Sequence, residues 1–368
     1  NLHEREAMNS KGKQLEIRGN PIDAGALDQI WTCLEDDEAA AGVLCADHHL
    51  GYSMPIGGVI AYRNAISPSG VGYDIACGNK AVKTDLLAAE VSPEIAKIMD
   101  NIFRQLEFGM GRKNPRPVED ELFDDPAWKD VPALGNLRNL ASVQLGTIGA
   151  GNHYVDLFTD DEGFLWIGVH FGSRGFGHKT CTGFLNLAGR RKFADRPVRE
   201  GMHARATVFS LASPLGEEYF AAMTLAGRYA YAGRDYVCGR VLSILGAKSV
   251  YEVHNHHNFA WKEEHFGEKW TVVRKGATPA WPGQVSFIGG SMGDISVIAR
   301  GVDSPGSRRL LYSTVHGAGR VMSRTQAAGR KRRKGRRTNR KGGLITRQAM
   351  TAAVKGKGVL LRGADRDE

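Results

Sequence analysis

The sequence has few cysteines and no long apolar run. Its five cysteines are an odd number without the spacing of a disulfide framework, and they lie at Cys33, Cys45, Cys77, Cys181 and Cys238. This usage predicts a reduced, cytoplasmic protein without disulfides. No uninterrupted apolar stretch is long enough to cross a bilayer, and residues 1–5 do not resemble a signal peptide. We therefore expect no membrane association.

Acidic residues are absent from residues 330–341, which carry nine Lys and Arg. Because the formal net charge of the whole chain is +9, the remainder is close to neutral (+9 − 9 = 0). Such a basic run is either a solvated, flexible segment or targeting tract, or a surface that contacts nucleic-acid phosphates without reading sequence. The sequence alone favours neither interpretation.

Glycine, in contrast, is abundant, with 46 of 368 residues. Glycines allow sharp turns and close approach of the backbone to a ligand. Apolar periodicity predicts helices over residues 24–35, 92–107 and 217–232, with strands over 80–85 and 164–171. These elements predict an α/β fold: one domain over residues 1–368 with a mixed β-sheet core, surrounding helices and long loop insertions. The alternative is two subdomains divided near residues 108–140.

The stretch of residues 70–78, Gly-Val-Gly-Tyr-Asp-Ile-Ala-Cys-Gly, sets Asp74 three residues before Cys77 between glycines. A carboxylate supplies a hard oxygen, and a thiolate supplies a soft sulfur that can bridge two cations. This pair fits manganese, zinc or iron better than magnesium or calcium. By itself the motif is short, and a lone cysteine is more often a buried apolar residue.

Three histidines follow in similar settings, each where a predicted strand meets a loop. His153 follows Gly-Ala-Gly-Asn, His170 ends an apolar strand, and His254 lies on a third strand. Neutral imidazole at a strand end suits metal ligation. Each histidine alone is more often a satisfied core or loop residue, but their repetition in similarly built strand-to-loop units favours ligation. The adjacent His256 and His257 are interpreted as polar loop residues.

A fourth histidine, His316, lies on a glycine turn with Arg320 and Arg324 nearby. An imidazole flanked by guanidinium groups is a candidate nucleophile toward phosphorus, because the arginines can hold phosphoryl oxygens during attack. The simpler alternative is a metal ligand or hydrogen-bond donor. Glycines also lie next to Arg174, next to the pair Arg274 and Lys275, and within residues 287–296. Glycine beside cationic or hydroxyl side chains is typical of anion-binding loops.

Seven short motifs, taken in chain order, resemble those of the RtcB family of RNA ligases. They are residues 70–78, Gly-Ala-Gly-Asn-His at 149–153, His-Phe-Gly-Ser-Arg-Gly at 170–175, His-Asn at 254–255, Arg-Lys-Gly-Ala at 274–277, Gly-Ser-Met-Gly at 290–293 and His-Gly-Ala-Gly-Arg at 316–320. The resemblance implies a GTP- and Mn²⁺-dependent ligase for tRNA splicing or RNA repair. It would join an RNA 3′-phosphate, or a 2′,3′-cyclic phosphate, to a 5′-hydroxyl through a covalent histidine–GMP intermediate.

The resemblance also implies roles for individual residues. Cys77 would bridge two Mn²⁺ ions, one held also by Asp74 and His153 and the other by His170 and His254. His316 would accept GMP. The nucleotide-binding residues would be Asn152, Asp156, Ser291, Ser296 and Arg320, and the phosphate or RNA contacts would be Arg174, Arg274, Lys275 and Arg324.

Two departures from the family pattern affect these expectations. Asp156 stands where the family commonly has Glu. In addition, we expect the chain, which ends at Glu368, to lack a C-terminal segment that supplies a lysine to the guanylate pocket of the family.

The expected partner is RNA, and we expect the enzyme to be a monomer. The sequence does not decide whether a helper protein assists guanylate turnover. The site chemistry also allows a metal-dependent phosphoesterase acting on RNA ends, or a non-catalytic RNA-binding relative.

Overall fold

A computed structural model describes residues 4–8, 11–197, 200–319, 322, 326–327, 329–334 and 337–363. For residues 4–5, 330–334 and 337–341 it describes the backbone only.

The described residues form strands that we number in chain order. They are β1 Glu4–Met8, β2 Gln14–Arg18, β3 Ala39–His49, β4 Ile56–Tyr62, β5 Ala65–Ile66, β6 Gly78–Leu87, β7 Tyr154–Thr159, β8 Phe164–Phe171, β9 Phe209–Ser210, β10 Ser249–His256, β11 Asn258–His265, β12 Glu268–Lys275, β13 Ala277–Pro279, β14 Val285–Ile288, β15 Val297–Arg300, β16 Ser313–Val315, β17 Arg330–Lys334 and β18 Arg337–Lys341.

The helices are numbered in the same way. They are α1 Ala24–Leu34, α2 Pro68–Val71, α3 Ala88–Val91, α4 Ile95–Gln105, α5 Ala127–Asp130, α6 Arg138–Gln144, α7 Arg174–Ala188, α8 Pro214–Leu245, α9 Pro305–Arg309 and α10 Arg347–Gly356, with short 3₁₀ turns at Ser92–Glu94, Glu121–Asp124 and Gly135–Leu137.

Two larger sheets organise the molecule. The first has six strands in the order β1-β2-β3-β4-β12-β11, and the second has four in the order β10-β6-β8-β7. In the first sheet β2 and β3 are parallel whereas the other neighbours are antiparallel, so this sheet is mixed. The prediction of an α/β fold with a mixed sheet and surrounding helices is confirmed.

The long helix α8 packs against the four-stranded sheet and closes one side of the core. It begins with Ser213 as N-cap, whose side chain accepts a hydrogen bond from Gly216 N, and with Pro214 in its first turn. It ends at Gly246, whose φ of 66° is left-handed and suits glycine at a helix C-terminus. Its buried positions include Tyr229, Arg234 and Val237. A fully buried arginine in the middle of such a helix requires a specific reason.

Residues 108–140 contribute to the main core. Leu122, Phe123 and Trp128 are buried together with residues of α7 and α8, and the Trp128 ring lies against Phe176 with centroids 4.8 Å apart.

Among the described residues, no helix combines the length and the apolar character needed to span a membrane.

Candidate active site

The four-stranded sheet brings several strand ends together. Strand β6 starts immediately after Cys77, and β8 ends immediately after His170. Gly78 pairs with Phe171 on one side and with His256 on the other, in antiparallel register. Because neighbouring antiparallel strands run in opposite directions, the start of β6 lies beside the ends of β8 and β10. The loops at this edge of the sheet form the candidate site.

Two glycines permit the close approach of these segments. A Cβ on Gly78 would lie 2.1 Å from the carbonyl oxygen of Asn255, and a Cβ on Gly172 would lie 2.4 Å from Asp74 Oδ1. Both distances are far below van der Waals contact, so a larger residue at either position would displace its neighbour. The glycines therefore bring the carboxylate and the thiol close to the adjacent strands.

Asp74, Cys77 and His153 form the first cluster. The distance from His153 Nε2 to Asp74 Oδ2 is 2.9 Å, and from His153 Nε2 to Cys77 Sγ it is 3.7 Å. One candidate ligand atom from each residue lies within 4.8 Å of the others. A carboxylate, a thiol and an imidazole thus face one small volume.

Cys77, His170 and His257 form the second cluster, which shares the sulfur atom with the first. Cys77 Sγ lies 3.2 Å from His170 Nε2, and candidate ligand atoms of all three residues lie within 4.8 Å of one another. The Nδ1 atom of His257 is buried and has no hydrogen-bond partner among the residues that the structure describes. A buried imidazole nitrogen without a partner is unfavourable unless another group binds it, and a metal ion is such a group.

The protonation of the two clusters also suits a cation. Burial lowers the pKa of His170 and of His257, so both imidazoles are neutral at physiological pH, which is the form that ligates metals. Burial opposes ionisation of Asp74, but His153 and Arg174 outweigh it and place the pKa of Asp74 below its usual range. The donor set of one shared sulfur, one carboxylate and three imidazoles therefore fits two divalent transition-metal ions.

The structure does not bring His254 into either cluster. His254 lies on β10 opposite Lys80, its Nε2 accepts a hydrogen bond of 2.8 Å from Arg234 Nε, and its Nδ1 lies 3.4 Å from Asp235. The backbone N–H of His257 instead donates to Cys77 O over 2.9 Å. Strand β10 ends at His256, so only the residue after it reaches the loops that carry the thiol. The expectation that His254 is a ligand is corrected to His257.

His316 lies beside the second cluster and is oriented by Asp47. The His316 ring centroid is 5.0 Å from that of His257. Asp47 Oδ2 accepts a hydrogen bond of 2.6 Å from His316 Nδ1 and one of 3.0 Å from its backbone N–H. Burial opposes ionisation of Asp47, but His316 lowers the pKa of this carboxyl overall. Because Nδ1 donates to the carboxylate, the lone pair of the imidazole is on Nε2.

Sequence reasoning did not select Asp47. It lies near the end of β3, far from His316 in the chain, and its neighbours His48 and His49 give no periodic signal. The available signal was a single acidic residue after the apolar part of this strand.

Arg274 and Lys275 have structural roles rather than the expected phosphate contacts. Arg274 is fully buried, and its NH1 and NH2 atoms donate to the two carboxylate oxygens of Glu263 over 2.7 and 2.9 Å. Lys275 is also buried, and its Nζ donates to the carbonyl oxygens of Tyr52 and Ser69 over 2.7 and 3.0 Å. Both cations are thus directed into the protein.

The other predicted contacts lie around the same edge. Arg174 NH1 is 2.9 Å from His153 Nδ1, so this guanidinium borders the first cluster. Ser296 Oγ accepts from Gly290 N over 3.0 Å, and the bridge between Gly289 and Gly317 places that loop beside His316. Ser291 is exposed in the same loop.

Two further predicted positions are close to His153 in the chain. Asn152 directly precedes His153, and Asp156 lies on β7 opposite Gly168. Arg320 and Arg324 lie outside the described residues.

Comparison with known proteins identifies relatives over most of the chain. The family model described as tRNA-splicing ligase RtcB matches residues 38–136 and 128–355. The chain is 33% identical over 339 residues to the RNA-splicing ligase RtcB1 of Escherichia coli, covering 84% of this chain and 81% of that protein. It is 32% identical over 363 residues to the tRNA-splicing ligase RtcB of Thermococcus kodakarensis, covering 77% and 73% respectively.

Proposed function

The chain belongs to the RtcB family, and we propose on that premise that it is a GTP- and Mn²⁺-dependent RNA ligase. It joins an RNA 3′-phosphate, or a 2′,3′-cyclic phosphate after hydrolysis, to a 5′-hydroxyl. The observation that carries this proposal is the convergence of Asp74, Cys77, His153, His170 and His257 beside a histidine that Asp47 orients. A purely structural role does not account for such a set.

Asp74, Cys77 and His153 would hold one Mn²⁺ ion, and Cys77, His170 and His257 the other. When bound, two divalent cations neutralise phosphate charge and orient phosphorus for in-line displacement. Arg174, at the edge of the first cluster, is the cation best placed to contact a phosphoryl oxygen.

His316 is the nucleophile of the proposed reaction. Asp47 keeps the proton on Nδ1, so the lone pair of Nε2 attacks the α-phosphorus of GTP and pyrophosphate leaves. The Nε2–phosphorus bond makes the ring cationic, and the Asp47 carboxylate stabilises that charge because it contacts the ring at 2.6 Å.

The remaining steps transfer the guanylate to RNA. The RNA 3′-phosphate attacks the phosphorus of the guanylate, and His316 leaves as neutral imidazole, still held by Asp47. The 5′-hydroxyl then attacks the activated 3′-phosphate, loses its proton and displaces GMP, which forms the new phosphodiester. Asn152, Asp156, Ser291 and Ser296 are the proposed nucleotide contacts, with Arg320 as a further one.

We further propose that the basic run 330–341 contacts the RNA backbone. Its residues form two strands in which Arg330 is opposite Lys341, Lys331 opposite Arg340 and Lys334 opposite Arg337. Like charges directly opposite one another destabilise a hairpin, so a polyanion would stabilise it.

Labelled GTP tests the covalent step. The chain is incubated with Mn²⁺ and GTP labelled at the α-phosphate, then denatured and separated. We expect an acid-labile label on the wild type and on the exposed control His203→Ala, but none on His316→Ala or Cys77→Ala. Label retained by His316→Ala would remove this histidine from its proposed role.

A further inference from the structure

Arg234, in the middle of α8, has no exposed surface. A buried guanidinium is costly unless it is paired and fully hydrogen-bonded. All of its hydrogen bonds go to backbone carbonyls and imidazoles, and no carboxylate of the described residues lies within ion-pair distance of it. The placement of this charge therefore needs an explanation other than an ordinary buried salt bridge.

The contacts of one terminal nitrogen indicate the reason. Arg234 NH1 donates to Ala76 O over 3.1 Å and to Phe171 O over 2.6 Å. Ala76 precedes Cys77, and Phe171 follows His170. A single nitrogen atom therefore joins the backbone segments that carry the shared thiol and one of its imidazole partners.

The other donors of the same guanidinium fix its orientation. Nε donates to His254 Nε2 over 2.8 Å, and NH2 lies 3.0 Å from His256 Nδ1. The Tyr231 ring is 5.2 Å from the guanidinium carbon. Because His254 Nε2 and His256 Nδ1 accept these bonds, the two histidines act as supports of Arg234.

We infer that Arg234 is a positioning residue that holds Cys77 and His170 at the separation the metal centre needs. The inference rests on the metal centre of the proposed function.

Lysine cannot perform the same task. Its ammonium is a single point on a flexible stem, whereas the planar guanidinium donates in three fixed directions at once. In Arg234→Lys the charge remains, but the bridge between the carbonyls of Ala76 and Phe171 and the contacts to both imidazoles cannot all be made. This substitution therefore separates the geometric role from the presence of charge.

Cobalt binding tests the inference without GTP or RNA. Co²⁺ is titrated into the full chain while thiolate-to-cobalt absorption is recorded. We expect Arg234→Lys to bind Co²⁺ about 10- to 100-fold more weakly, which is typical for residues that support metal ligands. The control is Arg240→Lys on the same helix, an exposed residue bonded to Gln105, and its affinity should equal that of the wild type. Wild-type cobalt affinity in Arg234→Lys, even with a lower melting temperature, would overturn the inference.

If Arg234→Lys does not fold, the wild-type protein provides the test. Guanidinium proton exchange is measured by NMR in the metal-free and zinc-loaded protein. We expect the Arg234 protons to exchange at least tenfold more slowly when zinc is bound, since ligation fixes both carbonyls; equal rates would refute the inference. A failure of the proposed function would give a different result: the wild type would bind cobalt normally but would not join RNA ends.

Discussion

Two histidines three residues apart have different environments. The Nδ1 atom of His257 is buried beside Cys77 and His170 and has no hydrogen-bond partner in the described part of the chain, whereas His254 is hydrogen-bonded to Arg234. The proposed ligand is therefore distinguished from its neighbour by its position just after the end of β10 and not by the presence of an imidazole.

This difference predicts unequal effects on metal content. If His257 is a ligand as proposed, His257→Gln removes it, and we expect the protein to retain no more than one of the two proposed Mn²⁺ ions. His254→Gln keeps an acceptor for Arg234, and we expect it to retain both. Elemental analysis after dialysis gives the stoichiometry. Full loading of His257→Gln, or equal loss in the two variants, would contradict the assignment.

Asp47 provides a second prediction at this scale. Asp47→Asn removes the carboxylate that fixes the His316 tautomer and stabilises the cationic ring, so GMP attachment should slow by about 10²-fold or more. Single-turnover labelling with GTP measures the rate. The control is Asp303→Asn, which alters a surface ion pair with Arg308. A rate within twofold of wild type would show that Asp47 does not orient the nucleophile.

The sequence predicted some of these residues and not others. Asp74, Cys77, His153 and His170 were predicted because each lies within two residues of a glycine where a strand meets a loop, in motifs that resemble those of the family. Local pattern could not locate the last residue of β10, which decides between His254 and His257. It also could not show that Arg274 is paired with Glu263, because that contact depends on the pairing of β11 with β12.

At the scale of elements, the site depends on the order β10-β6-β8-β7. The sequence predicted strands near residues 80–85 and 164–171, and these are parts of β6 and β8. Strand order was not predictable in the same way, because β10 joins β6 only after a long intervening segment that includes α8. Non-local pairing of this kind leaves no periodic signal in either strand.

The hairpin β11–β12 contains a buried ion pair with a testable pH dependence. Burial opposes ionisation of Glu263, but Arg274 and His265 outweigh it and lower the pKa of Glu263 to about 2. A depressed pKa in the folded state adds stability above the unfolded-state pKa, roughly 4.3. That stability is lost as pH falls from there toward 2.

Glu263→Gln leaves the buried Arg274 charge without its carboxylate, so we expect a loss of about 3 kcal/mol in the free energy of unfolding at pH 7. Urea denaturation of both proteins at pH 7 and pH 3 measures the difference. It should shrink at pH 3 because the Glu263 carboxyl is then protonated in the unfolded chain but still mostly ionised in the folded one, so unfolding takes up a proton. Glu264→Gln, at the exposed neighbouring position, is the control. A difference that is the same at both pH values would contradict the ion-pair account.

At the scale of the whole molecule, charge is concentrated in one segment. The net charge of +9 equals the charge of the nine Lys and Arg residues in 330–341. Residues 330–334 and 337–341 of this run form the paired strands β17 and β18, which we call the hairpin β17–β18. If this hairpin contacts RNA phosphates, affinity depends on salt in proportion to the number of contacts.

The triple variant Lys331→Gln, Arg333→Gln, Arg340→Gln should reduce the slope of log affinity against log salt by about 2 for single-stranded RNA, at roughly 0.7 per phosphate contact. Fluorescence anisotropy at several KCl concentrations measures it. The control is a triple variant in which three exposed lysines elsewhere, Lys129, Lys248 and Lys269, are replaced by Gln. Equal slopes in the two triple variants would show that the hairpin makes no specific contribution.

The fate of a labelled 3′-phosphate tests the central claim most directly. RNA carrying ³²P in its terminal 3′-phosphate is incubated with 5′-hydroxyl RNA and the wild-type chain, with and without GTP and Mn²⁺. Ligation predicts a longer RNA in which the label is internal and resistant to phosphatase, formed only when both GTP and Mn²⁺ are present. Release of the label as inorganic phosphate without GTP, or recovery of unaltered RNA under all conditions, would contradict the account.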